Sequence, residues 1–139
     1  MLLILQLLST AQAVTKAGQR LFKPHRLTVA HFNVLNLLSD QADGMRASDL
    51  ARALIVDPSN VTGLLKRMKA EGYLKALDHP ADRRHHVVVL TAKGRNVWQK
   101  AFRDYQRALE AFEADLRPEE RTVADSVLQR IHQSCQDRP

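Results

Sequence analysis

Small polar side chains and two cations share one side of the segment Pro58–Glu71, and the other side is apolar. Side chains that donate and accept hydrogen bonds can read base edges in a major groove, while lysine and arginine bind phosphates or guanine. The pattern therefore favours a helix that contacts double-stranded DNA, although an ordinary solvated helix face looks the same when considered alone. The predicted contact residues are Ser59, Asn60, Thr62, Gly63, Lys66 and Arg67.

A charged turn follows this segment, between two runs of strand-forming residues, Tyr73–Leu77 and His85–Leu90. The turn carries Arg83 and Arg84, and Asp82 beside them would hold an arginine side chain in place. An arginine on a protruding hairpin can enter a minor groove, where the negative potential favours it. A solvated turn would look the same in isolation. A basic hairpin directly after a polar helix favours DNA binding over two unrelated surface features.

Helix caps and helix breakers define the elements that must position these residues. A short helix is predicted over about Ala47–Leu54. Asp57 is a suitable N-cap for the polar helix, and Pro58 is tolerated at its first position. Gly72 ends that helix, because glycine accepts the left-handed conformation of a C-terminal cap. Two short helices joined by a tight turn form a helix-turn-helix.

Longer helices are predicted on both sides of this motif. The first spans about Leu2–Phe22 and ends before Pro24, and Thr28 caps a second helix. After a cap at Thr91, apolar residues recur at steps of four and three, the spacing with which one helix packs along another. These seam positions are Trp98, Phe102, Tyr105, Leu109, Phe112 and Leu116. A last helix starts at Pro118.

The terminal helices carry more apolar surface than a monomer usually exposes. The seam, the apolar first helix and Val127 and Ile131 of the last helix together predict a homodimer with a large interface. The expected fold is mainly α-helical with a small β-hairpin, the wing. Within one domain, residues 1–26 and 92–139 would be dimerisation helices, and residues 27–91 a winged helix-turn-helix lobe.

The first residues of the chain allow two interpretations. Met1–Val14 is apolar and contains Ala11-Gln12-Ala13, which resembles a signal-peptide cleavage site. It lacks a positive charge before the apolar run, and its apolar residues have helical spacing, so a buried helix is expected. No run approaches the roughly 20 apolar residues that cross a bilayer. No membrane partner is expected, and the single Cys135 favours a reducing compartment, the cytoplasm.

Positive charge is concentrated in the middle of the chain. The formal net charge is +6; residues 66–107 contain 11 Lys and Arg against 4 Asp and Glu, whereas residues 108–139 contain 4 against 7. The charge therefore centres on the polar helix and the wing. This distribution makes nucleic acid the expected partner.

Several short motifs resemble the MarR family of bacterial regulators. They are Asp49-Leu50-Ala51-x-x-Leu54, Asp57-Pro58-Ser59-Asn60-Val61-Thr62, Gly72-Tyr73-Leu74 and the wing motif Asp82-Arg83-Arg84 with Leu90-Thr91-x-x-Gly94. The resemblance, over roughly 27–128, implies a winged-helix homodimer with intertwined terminal helices. It places Pro58–Glu71 in the major groove and the arginines of the wing in the minor groove. The implied function is a sequence-specific regulator, expected to be a repressor, on a palindromic operator.

Two positions depart from that family pattern. Ile55 occupies a turn position where the family usually has glycine, and a β-branched residue resists a positive φ. Arg46 stands where a threonine or serine cap is usual, which predicts a weaker helix start.

The resemblance further implies a small phenolic or other aromatic anion that releases the DNA in many family members. It would bind between the dimer helices and the DNA-binding lobe. Ligand pockets are mostly apolar with a few polar anchors. The tentative pocket residues are Arg20, Phe22, His25, His31, Trp98 and Phe102. Trp98 and Phe102 are equally well explained as ordinary core residues.

Other chemistry finds little support in the residues. The 6 histidines do not have metal-binding spacing, so no metal or other cofactor is expected. No nucleophile elbow, P-loop or paired-carboxylate motif is present, so the chain is not expected to be an enzyme. Two alternatives stay open: a helical protein-interaction module that uses the seam, and a redox-responsive regulator that uses Cys135.

Overall fold

The structure, a computed structural model, describes residues 2–54, 58–78, 81 and 84–137. Its elements are α1 Leu2–Phe22, α2 Val29–Leu38, α3 Ala47–Leu54, α4 Pro58–Ala70, β1 Leu74–Asp78, β2 His86–Leu90, α5 Ala92–Ala114 and α6 Pro118–Gln136. The predicted class, mainly helical with a β-hairpin wing, is confirmed, and both strands begin one residue later than predicted. The chain divides into two compact units, Met1–Arg103 and Asp104–Pro139.

The junction between α1 and α2 is built from local hydrogen bonds. A short 3-10 turn at Lys23–His25 follows α1, and Arg26 then takes a left-handed conformation with φ 57°. Thr28 caps α2 as predicted: its hydroxyl accepts the amide hydrogen of His31 at 3.1 Å. The amide of Thr28 in turn donates to Nδ1 of His31 at 3.1 Å. This reciprocal cap satisfies two amides at the start of α2.

Three helices bury the core of the first unit. Leu35 and Leu38 of α2, Leu50 of α3, and Val61 and Met68 of α4 are each no more than 1% exposed. Burial of a side chain of this size contributes about 1.5–3 kcal/mol. The same core therefore holds α4 against α2 and α3.

The wing is a two-stranded sheet to which one further residue is bridged. β1 and β2 are antiparallel, with register from Leu74↔Leu90 to Asp78↔His86. On the other side of β2, Met45 pairs with Val88 through hydrogen bonds of 3.1 and 2.8 Å. This bridge was not predicted, because one paired residue leaves no alternating pattern in the sequence.

A glycine makes this bridge possible. Gly44 has φ +79°, and an added Cβ there would lie 2.6 Å from the carbonyl oxygen of Val88. The three valines of β2 are all buried. Since consecutive strand side chains point to opposite faces, β2 is covered on both faces, which explains its continuous apolar run.

α1 has the predicted bounds, but its apolar residues are exposed in the single chain, so the burial of this helix stays a prediction. Leu2 is 82%, Leu8 57% and Val14 60% exposed, whereas Phe22 at the end of the helix is buried. The helical spacing identified an apolar face, but it carried no information on what covers that face. Among the described residues, no helix combines the length and the apolar character needed to span a bilayer.

The second unit contains the end of α5 and all of α6. α5 ends at Ala114, so Leu116 lies beyond the helix, and the predicted seam is wrong at its last position. The chain leaves the helix because residues just before a proline disfavour helical backbone, and Pro118 opens α6. Glu120 accepts hydrogen bonds from the Arg117 amide and guanidinium, which hold the pKa of Glu120 below its ordinary value.

Candidate nucleic-acid interface

α4 separates a buried apolar side from an exposed polar side. Val61, Leu64, Leu65 and Met68 are buried, whereas Asn60, Thr62, Lys66 and Arg67 are exposed and Gly63 is half-buried. This is the division that the sequence predicted. The side chain of Ser59 lies outside the described part of the structure, as do the predicted cap Asp57 and the turn residue Ile55.

Arg67 and Gly63 are neighbours on the polar side of α4. A Cβ added at Gly63 would lie 3.7 Å from Nη1 of Arg67, so the guanidinium extends back over the glycine. Both residues line a cavity of about 420 Å³, together with Asn60, Asn33 of α2 and Leu54 of α3. The exposed side of α4 therefore combines amide groups and a guanidinium around a shallow concave surface.

α4 ends in a closed hydrogen-bonded cap. The amide of Gly72 donates to the carbonyl oxygen of Lys69 at 3.0 Å, and the amide of Tyr73 donates to that of Met68 at 3.0 Å. Gly72 has φ +82°. These bonds form a Schellman motif, which glycine favours because it has no Cβ. The predicted role of Gly72 is confirmed.

The described part of the wing places a histidine and a carboxylate together at the open end of the hairpin. Nδ1 of His86 lies 3.3 Å from Oδ1 of Asp78, and both residues are exposed. Arg84 is exposed just before β2. Asp82 and Arg83 lie outside the described residues. Arg84 thus belongs to the hairpin that follows α4 along the chain.

Three of the expected pocket residues, Phe22, Trp98 and Phe102, belong to two aromatic pairs. Phe22 stacks on Phe32 of α2 with ring centroids 4.2 Å apart, and Trp98 stacks on Phe102 at 5.1 Å. Nε1 of Trp98 donates to Oδ1 of Asn36 at 3.1 Å. Phe32 and Asn36 are four residues apart and share a face of α2. α2 therefore contacts both pairs, and Asn36 is a residue that the sequence reading missed.

The other expected pocket residues differ in their exposure and their contacts. Arg20 is exposed and His25 is half-buried. His31 is 9% exposed; its Nδ1 takes part in the cap of α2, and its Nε2 lies 3.8 Å from Oε2 of Glu71. Burial lowers the pKa of His31, with the Glu71 carboxylate opposing this shift and Arg67 adding to it. His31 therefore serves the start of α2 in this structure.

A second cavity lies at the junction of α1 and α2. Its volume is about 510 Å³, and Thr15, Gln19, Lys23, Arg26 and Thr28 contribute to its lining. Lys23 and Arg26 give its rim positive charge. The cavity adjoins the segment that carries Arg20, Phe22 and His25, but its lining residues are different ones.

The described residues contain no group of three or more His, Cys, Asp and Glu side chains that could hold a metal ion. Cys135 is a free thiol, exposed on α6.

Similarity to known proteins points in one direction. A model of the MarR family matches residues 26–85. The transcriptional activatory protein BadR of Rhodopseudomonas palustris is 37% identical over 99 residues, which are 70% of this chain and 57% of BadR. The homoprotocatechuate degradative operon repressor of Escherichia coli is 29% identical over 130 residues, 93% of this chain and 86% of that protein. The chain thus spans little more than half of BadR but most of the repressor.

The fold has a similar counterpart among solved structures. The structure of Bordetella bronchiseptica BpsR, whose DNA binding is regulated by 6-hydroxynicotinic acid, has a TM-score of 0.78 and 26% identity. The match covers 91% of this chain and 90% of BpsR. It therefore includes the helices at both ends as well as the helix-turn-helix and the wing.

Proposed function

The chain belongs to the MarR family of winged helix-turn-helix regulators, and we propose that it is a transcriptional regulator that binds double-stranded DNA as a homodimer. The observation that carries the proposal is the exposed polar face of α4, which stands on a core completed within one chain. Its amides, hydroxyl and cations are the groups that read base edges and bind phosphates. The proposed contacts are Ser59, Asn60, Thr62, Gly63, Lys66 and Arg67 of α4 and Arg83 and Arg84 of the wing, with Asp82 as support.

Exposed apolar side chains support the proposed homodimer. In the first unit, Leu2 and Leu5 of α1 are 82% and 57% exposed; in the second, Phe112 and Val123 are 60% and 62% exposed. Apolar surface on this scale marks an interaction site. A second copy of the same chain would cover these faces in a two-fold arrangement.

Two-fold symmetry defines the DNA that such a dimer would bind. The two copies of α4 would enter successive major grooves about 34 Å apart, so the operator is a palindrome with half-sites one helical turn apart. We propose repression as the regulatory effect, in agreement with the name of the Escherichia coli relative, whereas BadR is named an activator.

The proposal is tested by selecting binding sequences from random duplex DNA and measuring affinity against salt concentration. We expect a saturable complex with a palindrome and a log–log slope of about −0.9 for each phosphate contacted. Arg84→Ala should weaken binding by roughly 1–2 kcal/mol. Arg130→Ala on α6 replaces another exposed arginine and serves as the matched control. Weak, unsaturable binding to every duplex would contradict the proposal.

We further propose an aromatic anion as the effector of this regulator. Two stacked aromatic pairs, Phe22 with Phe32 and Trp98 with Phe102, both contact α2 through residues on one of its faces. DNA binding by the relative BpsR is regulated by an aromatic acid. Among the proposed polar anchors, Arg20 and His25 suit an anion better than His31, because the Glu71 carboxylate already faces His31.

Titration with a panel of aromatic acids tests the effector. Trp98 is the single tryptophan of the sequence, so its fluorescence can be followed together with DNA affinity. We expect both signals to change in parallel, because a ligand shifts DNA binding only through its different affinity for the two states. Arg20→Ala should weaken the response, whereas Lys16→Ala, which replaces another exposed cation of α1, should not. A fluorescence change with unaltered DNA affinity would refute coupling.

A further inference from the structure

The first turn of α5 donates hydrogen bonds to the C-terminal ends of two other helices. Nζ of Lys93 donates to the carbonyl oxygen of Glu71 at 2.7 Å and lies 5.2 Å from the ring centroid of Tyr73. Nη1 of Arg95 donates to the carbonyl oxygen of Ser39, just after α2, at 3.1 Å. Two cations of one turn thus contact the ends of α4 and α2.

Thr91 connects the same turn to the end of α4 without charge. Its hydroxyl donates to the carbonyl oxygen of Gly72 at 2.6 Å and accepts the amide hydrogen of Gly94 at 3.0 Å. The amide of Thr91 donates to the carbonyl oxygen of Tyr73 at 3.0 Å. The residue that caps α5 is therefore also bonded to the cap of α4.

These contacts match a general need of helix ends. The last carbonyl groups of a helix have no partner within the helix, and the negative end of the helix dipole favours cations there. Lys93 and Arg95 supply both a donor and a positive charge at such ends. Gly94 between them allows close approach, because an added Cβ would overlap the carbonyl oxygen of Tyr73 and lie 3.0 Å from its carbonyl carbon. The first turn of α5 therefore has little room to move against the backbone of Tyr73.

We infer that Lys93 and Arg95 are positioning residues that fix the direction of α4 relative to the start of α5, an inference that rests on the proposed function. In a homodimer whose two-fold seam includes α5, this direction determines the separation of the two α4 helices. Lys93 and Arg95 therefore set the half-site spacing that the dimer accepts. They act through the carbonyl groups that they hold, and neither needs to contact DNA.

The test measures affinity for the selected palindrome and for versions with one base pair added or removed between the half-sites. One base pair changes the separation by about 3.4 Å and the rotation by about 35°. The wild type is expected to lose at least about tenfold in affinity on either change. Lys93→Met retains the apolar stem of the side chain but lacks the ammonium group. In this variant, the loss of affinity caused by adding or removing one base pair should shrink to about threefold or less. Arg95→Met should act in the same direction, and Lys100→Met on the same helix is the matched control.

Four outcomes decide the inference. Reduced discrimination of spacing in both variants, with the wild-type salt dependence retained, would support it. Unchanged discrimination in both variants would overturn it and leave the proposed function intact. A log–log salt slope that becomes shallower by about 0.9 in Lys93→Met would identify Lys93 as a phosphate contact and also overturn it. A wild-type protein without any saturable DNA complex would overturn the proposed function and the inference together.

Discussion

The lobe, residues 27–91, and the helices α1 and α6 use similar apolar residues in opposite ways. In the lobe, Leu35, Leu50 and Met68 are fully buried within one chain. On α1, Leu2 is 82% exposed, and on α6 Val123 is 62% exposed. Apolar content therefore does not distinguish the two regions, but burial within one chain does.

In the proposed homodimer, this difference divides the stability of the protein into two kinds. A core completed within one chain gives a free energy of unfolding that does not depend on protein concentration. Apolar faces that a second copy covers give a contribution that rises with concentration by mass action. The lobe can thus be perturbed by packing changes, and the terminal helices by changes in assembly.

The largest effect is expected from Gly94→Ala at the start of α5, next to the lobe. The added Cβ overlaps the backbone of Tyr73, which is itself fixed by the cap of α4, so the backbone must move. We expect a loss of at least about 3 kcal/mol in the free energy of unfolding, measured by urea denaturation. Gly63→Ala is the matched control: its Cβ finds ordinary contact space, and removal of a helix glycine should stabilise by about 0.5–1 kcal/mol. A Gly94→Ala variant with nearly unchanged free energy of unfolding would show that the backbone around Tyr73 can move.

Leu50→Ala and Phe112→Ser should separate the two kinds of stability. Leu50 is fully buried, so its truncation should cost about 2–5 kcal/mol at every protein concentration. Phe112 is 60% exposed, so Phe112→Ser should mainly abolish the dependence of stability on concentration. Urea denaturation over a roughly hundredfold range of concentration, with sedimentation, measures both. Wild-type stability that is independent of concentration would contradict a contribution from assembly.

A smaller effect is expected from the hydrogen bond between Trp98 and Asn36. Asn36→Ala removes the acceptor of the indole N–H, which should cost about 1 kcal/mol in the free energy of unfolding. The emission of Trp98 should shift, because its ring remains stacked on Phe102 without the fixed polar partner. Asn33→Ala, an exposed asparagine on the same helix, is the control. Equal changes in both variants would argue against a specific role for the bond.

The smallest effect is expected from the titration of His31. Burial lowers the pKa of His31 from its ordinary value of 6.5, against the Glu71 carboxylate and with the help of Arg67. The unfolded chain therefore binds the proton more readily, and stability falls as the pH drops from about 6.5 through the lowered folded pKa. Urea midpoints of the wild type should decline over this window, and His31→Asn should flatten the decline. A variant with the same pH profile would remove His31 as its source.

Local rules predicted the elements of the lobe well, because their signals lie in adjacent residues. Thr28, Gly72 and Thr91 each terminate a helix as their chemistry requires. The Met45 bridge and the exposure of α1 were not predictable in this way. The bridge depends on a pairing across more than forty residues. The helical spacing of α1 identifies an apolar face but does not tell whether the rest of the chain covers it.

The candidate site shows the same limit. The amphipathic pattern of α4 was sufficient to place Lys66 and Arg67 on its exposed side. In contrast, Asn36, Lys93 and Arg95 became candidates only through contacts that span 22–62 residues. Polar residues with distant backbone partners resemble ordinary surface residues in a sequence, so their roles required the folded chain.

The single-residue strand at Met45 has a consequence for solubility. It pairs with one side of β2, so β2 is the middle strand and β1 is left at an edge of the described sheet. An open edge can recruit a strand from another molecule and begin aggregation. Lys75 and Asp78 place charge along exposed β1, which disfavours such recruitment next to Leu77, itself 45% exposed. The β1 edge of the wing is thus protected by charge, and on the other side of β2 Met45 pairs with Val88.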